Sequence, residues 1–338
     1  MIVEALEHWN VREPGGERSY GVLRLRARGG AAGWGEGPPL TPAQIAHLRQ
    51  IVAGQPVHAY KVLHARLGGR PGAAAVDMAL LDCLGQISGA PVYQVLGGPT
   101  RNKVRALTDW SPEALAAGHR AFLVGLPETA FPNPRARFVT SVVERLESLQ
   151  KEAGDGADFV LEGANRLPPG EAANIAAAVE RLHLLFFDEP CALTNLAAAR
   201  KLAEENVTPL GWGRHALRLA EIQDLLREQM VDVVRLDLAR HGVTGLRTAA
   251  ALAETYYVAV APYHRGGPIA TAAALHLAAS LPNFFIQQTP GTGRDARQAR
   301  AELAGADLET AADGYFRLPA GPGLGLQVNE RALRRWTV

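Results

Sequence analysis

Five charged or titratable side chains recur at nearly constant spacing between residues 162 and 264. They are Glu162, Asp188, Arg214, Asp237 and His264, and the intervals between them are 26, 26, 23 and 27 residues. Each lies at the end of a short apolar run. Two acids, an arginine and an acid–histidine pair that meet in one place would handle an anion or a metal ion. One carboxylate in such a position could equally be a helix N-cap, but five in phase are hard to obtain by capping alone.

The apolar runs that precede these side chains have the length of buried strands. There are eight: "VRALTDW" (104–110), "AFLVGL" (121–126), "DFVLEG" (158–163), "LLFFDEP" (184–190), "TPLGWGR" (208–214), "VDVVRLD" (231–237), "YVAVAPYH" (257–264) and "FFIQQT" (284–289). They alternate with helical segments such as "NLAAARKLAEEN", which predicts a parallel sheet. Eight such units favour a closed α/β fold, a (β/α)8-type barrel, over a doubly wound open sheet. In such a barrel the strand ends share one mouth, where the chemistry is found.

The first hundred residues follow a different pattern. "SYGVLRLRARGGAAGWGEG" alternates apolar and polar residues around Gly29–Gly30, which predicts a β-hairpin. Residues 73–88, "AAAVDMALLDCLGQIS", carry an apolar helical face, and "GGPT" ends this part. We therefore predict an α+β domain over residues 1–100, followed by a barrel domain over residues 101–309.

Composition excludes several classes of protein. Apolar residues make up 47% of the 338 residues and charged residues 20%, as in a globular protein. The formal net charge of +1 gives no reason to expect nucleic acid or a membrane surface as a partner. Two cysteines provide neither a disulfide framework nor a metal cluster. Since no signal peptide or membrane-spanning run is evident, a cytoplasmic location is expected.

The strand-end motifs resemble those of the enolase superfamily, in its mandelate racemase/muconate lactonizing enzyme branch, which includes acid-sugar dehydratases. The similar segments are "AAVDMALLDCLGQISGAPVYQVLGG", "FFDEP", "VVRLDLARHGVTG", "VAPYH" and "DGYFRLPAGPGLGLQVN". The resemblance implies a modified TIM-like barrel with an N-terminal capping domain, to which a C-terminal tail, residues 310–338, returns. It also implies three carboxylates on consecutive strands that bind Mg²⁺. That metal holds a substrate carboxylate while a base removes the neighbouring proton.

The match at the metal site is partial. The resemblance places the first two metal ligands on Glu162 and Asp188, and the third position on Arg214. A guanidinium has only donors and stays charged, so it cannot bind Mg²⁺ and would repel it. Its planar fork suits pairing with carboxylates. We therefore predict that Arg214 replaces the metal, and that Mg²⁺ binding is weak or absent.

The match at the catalytic groups is also partial. The resemblance makes Asp237 and His264 a catalytic pair in which the carboxylate orients the imidazole by a hydrogen bond. A lysine base on the second strand is missing, since "AFLVGL" offers Leu123 and Gly125 there. Some dehydratases have a histidine two residues after the first ligand, where this chain has Ala164.

Further side chains are candidates for binding a substrate together with Arg214. Asn165 lies on the loop after the third barrel strand, where it contacts either a ligand or solvent. Arg265 either lines the mouth or turns the chain. Gln288 or its neighbour stands where the family often has a glutamate on the last strand. The expected ligand is a small carboxylate or sugar acid.

Three functions remain open at this point. The chain is a Mg²⁺-dependent dehydratase, racemase or epimerase, or a metal-independent enzyme in which Arg214 grips a carboxylate and His264 moves a proton. Alternatively, it is a catalytically silent relative that acts as a ligand-binding or regulatory protein. Because one expected metal ligand and the expected lysine base are missing, the metal-independent enzyme and the silent relative are together favoured over the Mg²⁺-dependent enzyme. A homo-oligomer is also expected.

Overall fold

The first layer of the molecule is a three-stranded antiparallel sheet. The computed structural model describes residues 1–16, 18–128, 135–216, 218–291 and 293–338. The sheet consists of β1 (Val3–Arg12), β2 (Ser19–Ala27) and β3 (Ala32–Gly37) in that order. The turn between β2 and β3 contains Gly29 and Gly30, with φ angles of 98° and 92°. The predicted hairpin is confirmed.

Four helices follow this sheet. They are α1 (Pro42–Val52), α2 (Tyr60–Leu67), α3 (Ala73–Ser88) and α4 (Val92–Val95). Helix α3 covers the residues that the sequence predicts to be helical. One of its faces, with Val76 and Leu80, packs into the core of the first sheet. The opposite face, with Met78 and Leu81, packs into the main core of the molecule. The helix is therefore buried between two layers.

The close approach of β3 to α3 depends on a glycine. A Cβ atom at Gly35 would lie 1.9 Å from the Ala75 carbonyl oxygen and 3.0 Å from the Ala79 nitrogen. Backbone atoms cannot move aside as a flexible side chain does, so we expect Gly35→Ala to lower the free energy of unfolding by about 3 kcal/mol. Gly69→Ala is the control, because no atom lies within 4 Å of a Cβ there. Urea denaturation measures both variants, and equal stabilities would contradict the packing argument.

Eight parallel strands form the second, larger layer. They are β4 (Lys103–Asp109), β5 (Ala121–Gly125), β6 (Asp158–Glu162), β7 (Phe186–Asp188), β8 (Leu210–Trp212), β9 (Val233–Val234), β10 (Ala259–Val260) and β11 (Gln287–Gln288). They pair in the order β11-β4-β5-β6-β7-β8-β9-β10. A parallel bridge between Val260 and Phe284 joins the two ends of this series. All eight predicted strands are present, and the fold is a modified TIM barrel with an N-terminal strand domain.

Helices connect the barrel strands. They are α5 (Pro112–Ala116), α6 (Arg135–Ala153), α7 (Pro169–Val179), α8 (Leu196–Glu205), α9 (Leu219–Arg227), α10 (Leu238–Glu254), α11 (Pro268–Ser280) and α12 (Arg294–Ala304). Helix α10 is kinked at Gly242, whose φ is 64°. None of the helices in the described ranges has both the length and the apolar character needed to span a membrane.

The C-terminal segment contacts both layers. Strand β12 (Tyr315–Arg317) pairs antiparallel with β4 of the barrel. Beyond it, α13 (Glu330–Trp336) leads to Thr337, which forms a bridge with Val11 of β1. The domain boundaries predicted above, 1–100 with 310–338 and 101–309, stay a prediction.

A buried carboxylate joins the first sheet to the barrel. Glu36, at the end of β3, is 1% exposed and accepts hydrogen bonds from the backbone N–H groups of Gly267, Ile269 and Ala270. These groups belong to the N-terminus of α11, where a negative charge is favourable. Burial raises the pKa of Glu36 to about 7.

Candidate functional site

The barrel interior has a polar layer at the carboxyl ends of its strands. Apolar side chains fill the layer below, among them Val160, Phe186, Val233 and Ile286. Since alternate residues of a strand point to the same side, the residue two positions further lies above each of them. That residue is charged or polar in all four strands: Glu162, Asp188, Arg235 and Gln288. Strand alternation thus produces a cluster of polar groups at the mouth.

Arg214 joins the two predicted metal positions. Its Nη2 lies 2.5 Å from Glu162 Oε1, and its Nε lies 3.3 Å from Asp188 Oδ2. The Nε contact is an ion pair rather than a hydrogen bond, because no oxygen is aligned with that N–H. The Arg214 side chain is only 5% exposed. The guanidinium therefore lies between the two carboxylates that the sequence analysis predicts as metal ligands.

A second arginine, which the sequence analysis missed, holds the same aspartate. Arg235 is fully buried, and its Nε and Nη2 each lie 3.1 Å from one oxygen of Asp188. Its other donors bind the Ala261 carbonyl at 2.8 Å and the side-chain oxygen of Gln288. The signal was present in "VDVVRLD", since Arg235 shares the inward face of the strand with Val233 and Asp237.

The local backbone explains why Arg214 can enter the cluster. Gly213 has a φ of 128°, a conformation that L side chains rarely adopt, and a Cβ there would lie 2.4 Å from the Arg235 carbonyl oxygen. The neighbouring acid, Glu189, points away from the guanidinium and binds the backbone instead. Its Oε1 accepts hydrogen bonds from the N–H groups of Gly213 and Arg214 at 2.8 and 2.7 Å. This clamp fixes the turn that directs the Arg214 side chain inward.

The charges of this cluster balance one another. Two guanidinium groups, Arg214 and Arg235, face two carboxylates, Glu162 and Asp188. Burial acts to lower the pKa of Arg214, but the carboxylates of Asp188 and Glu162 outweigh it and raise that pKa. Arg214 therefore remains a fixed cation. We call these four residues the arginine–carboxylate network.

The network does not fit a Mg²⁺ ion. Both oxygens of Asp188 already accept hydrogen bonds from Arg235, and Glu162 is bonded to Arg214. The third expected ligand is a cation that would repel the metal. Within the described ranges, no group of three or more His, Cys, Asp or Glu side chains could hold a metal ion.

An aromatic ring lies beside the network. The Arg214 guanidinium carbon lies 5.0 Å from the centre of the Tyr263 ring, and those of Arg235 and Arg265 lie 5.9 and 6.0 Å from it. Such distances allow cation–π attraction. Tyr263 was not singled out from the sequence. Its position, one residue before His264, brings it to the same mouth.

The expected hydrogen bond between Asp237 and His264 is absent, which corrects the sequence-based expectation. Asp237 Oδ1 instead accepts the N–H of Ala239 at 2.9 Å and caps α10. Both ring nitrogens of His264 are buried without a partner among the described residues. Burial, followed by the positive charge of Arg300, lowers the pKa of His264 to about 3. The imidazole is thus neutral and buried.

This burial should make His264 a source of acid sensitivity. A folded-state pKa below the unfolded value means that the unfolded chain binds a proton more readily, so stability falls as pH drops from about 6.5 towards 3. Between pH 6.5 and 4 the cost is about 3 kcal/mol. His264→Asn should remove this loss, whereas replacing the exposed His215 by Asn should not. Urea denaturation at several pH values measures the difference, and parallel curves for all three proteins would contradict it.

The remaining candidate residues take different positions. Gln288 belongs to the polar layer, while Arg265 is exposed and lines a cavity of about 390 Å³ together with Asp237, Tyr263 and His264. Residues of the first sheet, including Tyr20 and Glu36, form its other wall. Asn165 lies on the loop after β6 with a φ of 58°, and its N–H donates to the Glu189 carbonyl at 2.8 Å. Roles in substrate binding stay predictions for these residues.

Comparisons with known proteins agree with this architecture. Residues 110–332 match the family model described as "Enolase C-terminal domain-like". A D-galactonate dehydratase family member from Streptomyces bingchenggensis is 26% identical over 96% of this chain and 91% of its own length. The D-galactonate dehydratase of Ralstonia nicotianae is 29% identical over 91% of this chain and 88% of its own.

Solved structures support the fold. A putative galactarate dehydratase from Agrobacterium radiobacter, crystallised with sodium and L-malate, superposes with a TM-score of 0.87 at 24% identity. The alignment covers 100% of this chain and 95% of that one. A putative mandelate racemase/muconate lactonizing enzyme from Labrenzia alexandrii gives a TM-score of 0.89 at 21% identity, over 100% of this chain and 97% of that one. The chain therefore belongs to the enolase superfamily, in its mandelate racemase/muconate lactonizing enzyme branch.

Proposed function

We propose that this protein binds a small carboxylate or sugar acid at the barrel mouth without Mg²⁺ and does not catalyse the dehydration or racemisation typical of its relatives. Members of the superfamily typically bind Mg²⁺. The observation that carries the proposal is the Arg214 guanidinium between Glu162 and Asp188, at the position expected for that metal.

Arg214 is also the group best suited to hold the ligand. Its Nη2 and Nε are committed to the two carboxylates, while no hydrogen bond of its Nη1 occurs within the described part of the chain. A guanidinium donor aimed at a carboxylate makes a charge-assisted hydrogen bond. The half-buried ring of Tyr263, 5.0 Å from the same guanidinium, limits the water that competes for this contact. The ligand carboxylate thus takes the place that the family resemblance gives it beside the metal.

The loss of catalysis follows from the state of the candidate bases. Removing a proton next to a carboxylate requires a base near the ligand and a cation that stabilises the enediolate. His264 has a pKa of about 3 and buried ring nitrogens, so it is a weak base at neutral pH. Leu123 and Gly125 stand where a lysine is expected.

The proposal is tested by calorimetry and NMR on the unmodified protein. L-malate and D-galactonate are titrated in buffer that contains EDTA, and each is then incubated with the protein in D₂O. We expect saturable binding of at least one acid without metal and no exchange of the proton next to its carboxylate. Binding that requires added Mg²⁺, or exchange above the rate without protein, would contradict the proposal.

A metal-independent enzyme is the second candidate function. Its support is that Asp237 and His264 line the same cavity, even though they are not hydrogen-bonded. In that case Arg214 holds the carboxylate and His264 takes the proton. Exchange in D₂O with EDTA present, abolished by His264→Asn, would favour this candidate. The expected homo-oligomer and cytoplasmic location stay predictions.

A further inference from the structure

Arg235 makes contacts that the replacement of a metal by Arg214 does not require. Arg214 alone brings one positive charge to a site that the family resemblance assigns to Mg²⁺, an ion with two. Arg235 brings the second. Its bidentate contact with Asp188, 3.1 Å at both oxygens, is fully buried, and both side chains are 0% exposed. Four of its five donors are engaged once Ala261 and Gln288 are counted.

We propose that Arg235 is a positioning residue that locks Asp188 in place, so that the two arginines together, and not Arg214 alone, replace the metal. This inference rests on the proposed metal-free function. Because Arg235 holds both oxygens of Asp188, the contact of Asp188 with Arg214 is the 3.3 Å ion pair to Nε. Arg214 is then free to direct Nη2 to Glu162, and its Nη1 remains available to a ligand.

The surroundings of Arg235 favour an arginine over any other cation. The guanidinium carbon of Arg235 lies 5.4 Å from the centre of the Phe186 ring and 5.9 Å from the centre of the Tyr263 ring. A planar guanidinium stacks on aromatic rings while its edge donates to a carboxylate. A lysine in this place would keep the charge but lose the bidentate contact.

One consequence is that changing Arg214 alone does not produce a tight metal site. Arg214→Glu supplies a third carboxylate next to Glu162 and Asp188, but Arg235 still holds both oxygens of Asp188 and repels a divalent ion a few ångströms away. Arg214→Glu with Arg235→Gln releases that carboxylate. We expect the double variant to bind Mg²⁺ at least about tenfold more tightly than Arg214→Glu does.

The experiment is a calorimetric titration of Mg²⁺ into four proteins: the unmodified chain, Arg214→Glu, Arg214→Glu with Arg235→Gln, and Arg214→Glu with Arg235→Lys. The lysine variant is the matched control, because it retains the positive charge and should bind Mg²⁺ no better than Arg214→Glu. A thermal melt with and without Mg²⁺ provides a second reading, since a ligand of the folded state raises the melting temperature. A merely structural role of Arg235 would lower the melting temperature without creating a Mg²⁺-dependent rise.

The outcomes separate this inference from the proposed function. Equal Mg²⁺ affinities of Arg214→Glu and the glutamine double variant would overturn the role of Arg235 and leave the metal-free function intact. Failure of the glutamine double variant to bind or be stabilised by Mg²⁺ would also overturn it. Tight Mg²⁺ binding by the unmodified chain would instead overturn the proposed function itself.

Discussion

Asp188→Asn should lower the free energy of unfolding by about 3–5 kcal/mol, because it leaves two buried arginines with too little negative charge. Asp188 is 0% exposed and contacts both Arg235 and Arg214. Asparagine is nearly the same size as aspartate, so the loss of stability reports the missing charge rather than a change in packing. Urea denaturation at neutral pH measures the change.

The matched control is a second aspartate–arginine pair at the other end of the barrel. Asp158 lies 2.5 Å from Arg105, but its side chain is 45% exposed. Water replaces such a partner at little cost, so Asp158→Asn should cost less than about 1 kcal/mol. Equal effects of the two substitutions would mean that the network is not the buried, mutually dependent unit described above.

Arg214→Gln should weaken the binding of L-malate by about 10- to 100-fold, because it removes the charged donor proposed to hold the ligand carboxylate. The fold should survive, since Asp188 keeps its bidentate contact with Arg235 and Glu162 is 17% exposed and open to water. Arg181→Gln is the control, because that arginine is 63% exposed and pairs with Glu147. Calorimetry with EDTA present measures all three proteins. Unchanged affinity in Arg214→Gln would remove this residue from the binding site.

The barrel could be predicted from the sequence because its strands carry a strong local signal. Each of the eight apolar runs contains a strand, and a helix follows each of them. Their position at the ends of successive strands placed Glu162 and Asp188 at one mouth, and in the structure alternation along each strand sets them above buried apolar residues. The same rule applied to "VDVVRLD" would have found Arg235, whose charge stands out in an apolar strand.

The geometry of the acid–histidine pair could not be predicted in this way. Spacing showed that Asp237 and His264 end successive strands, but not which way each side chain turns. A carboxylate at Asp237 can accept a hydrogen bond either from His264 or from the first turn of α10. In the structure, Asp237 Oδ1 accepts the Ala239 N–H at 2.9 Å and caps α10. Burial of His264 depends on residues far along the chain, including Arg300, whose charge also acts on its pKa. Such long-range packing leaves no trace in local sequence patterns.

Titration of Mg²⁺ into the unmodified protein tests most directly whether the arginine–carboxylate network has replaced the metal. With Glu162 and Asp188 bonded to Arg214 and Arg235, calorimetry should give only the heat of dilution at Mg²⁺ concentrations that saturate the Arg214→Glu, Arg235→Gln variant. Saturable binding by the unmodified protein with an affinity equal to that of this variant would contradict the account.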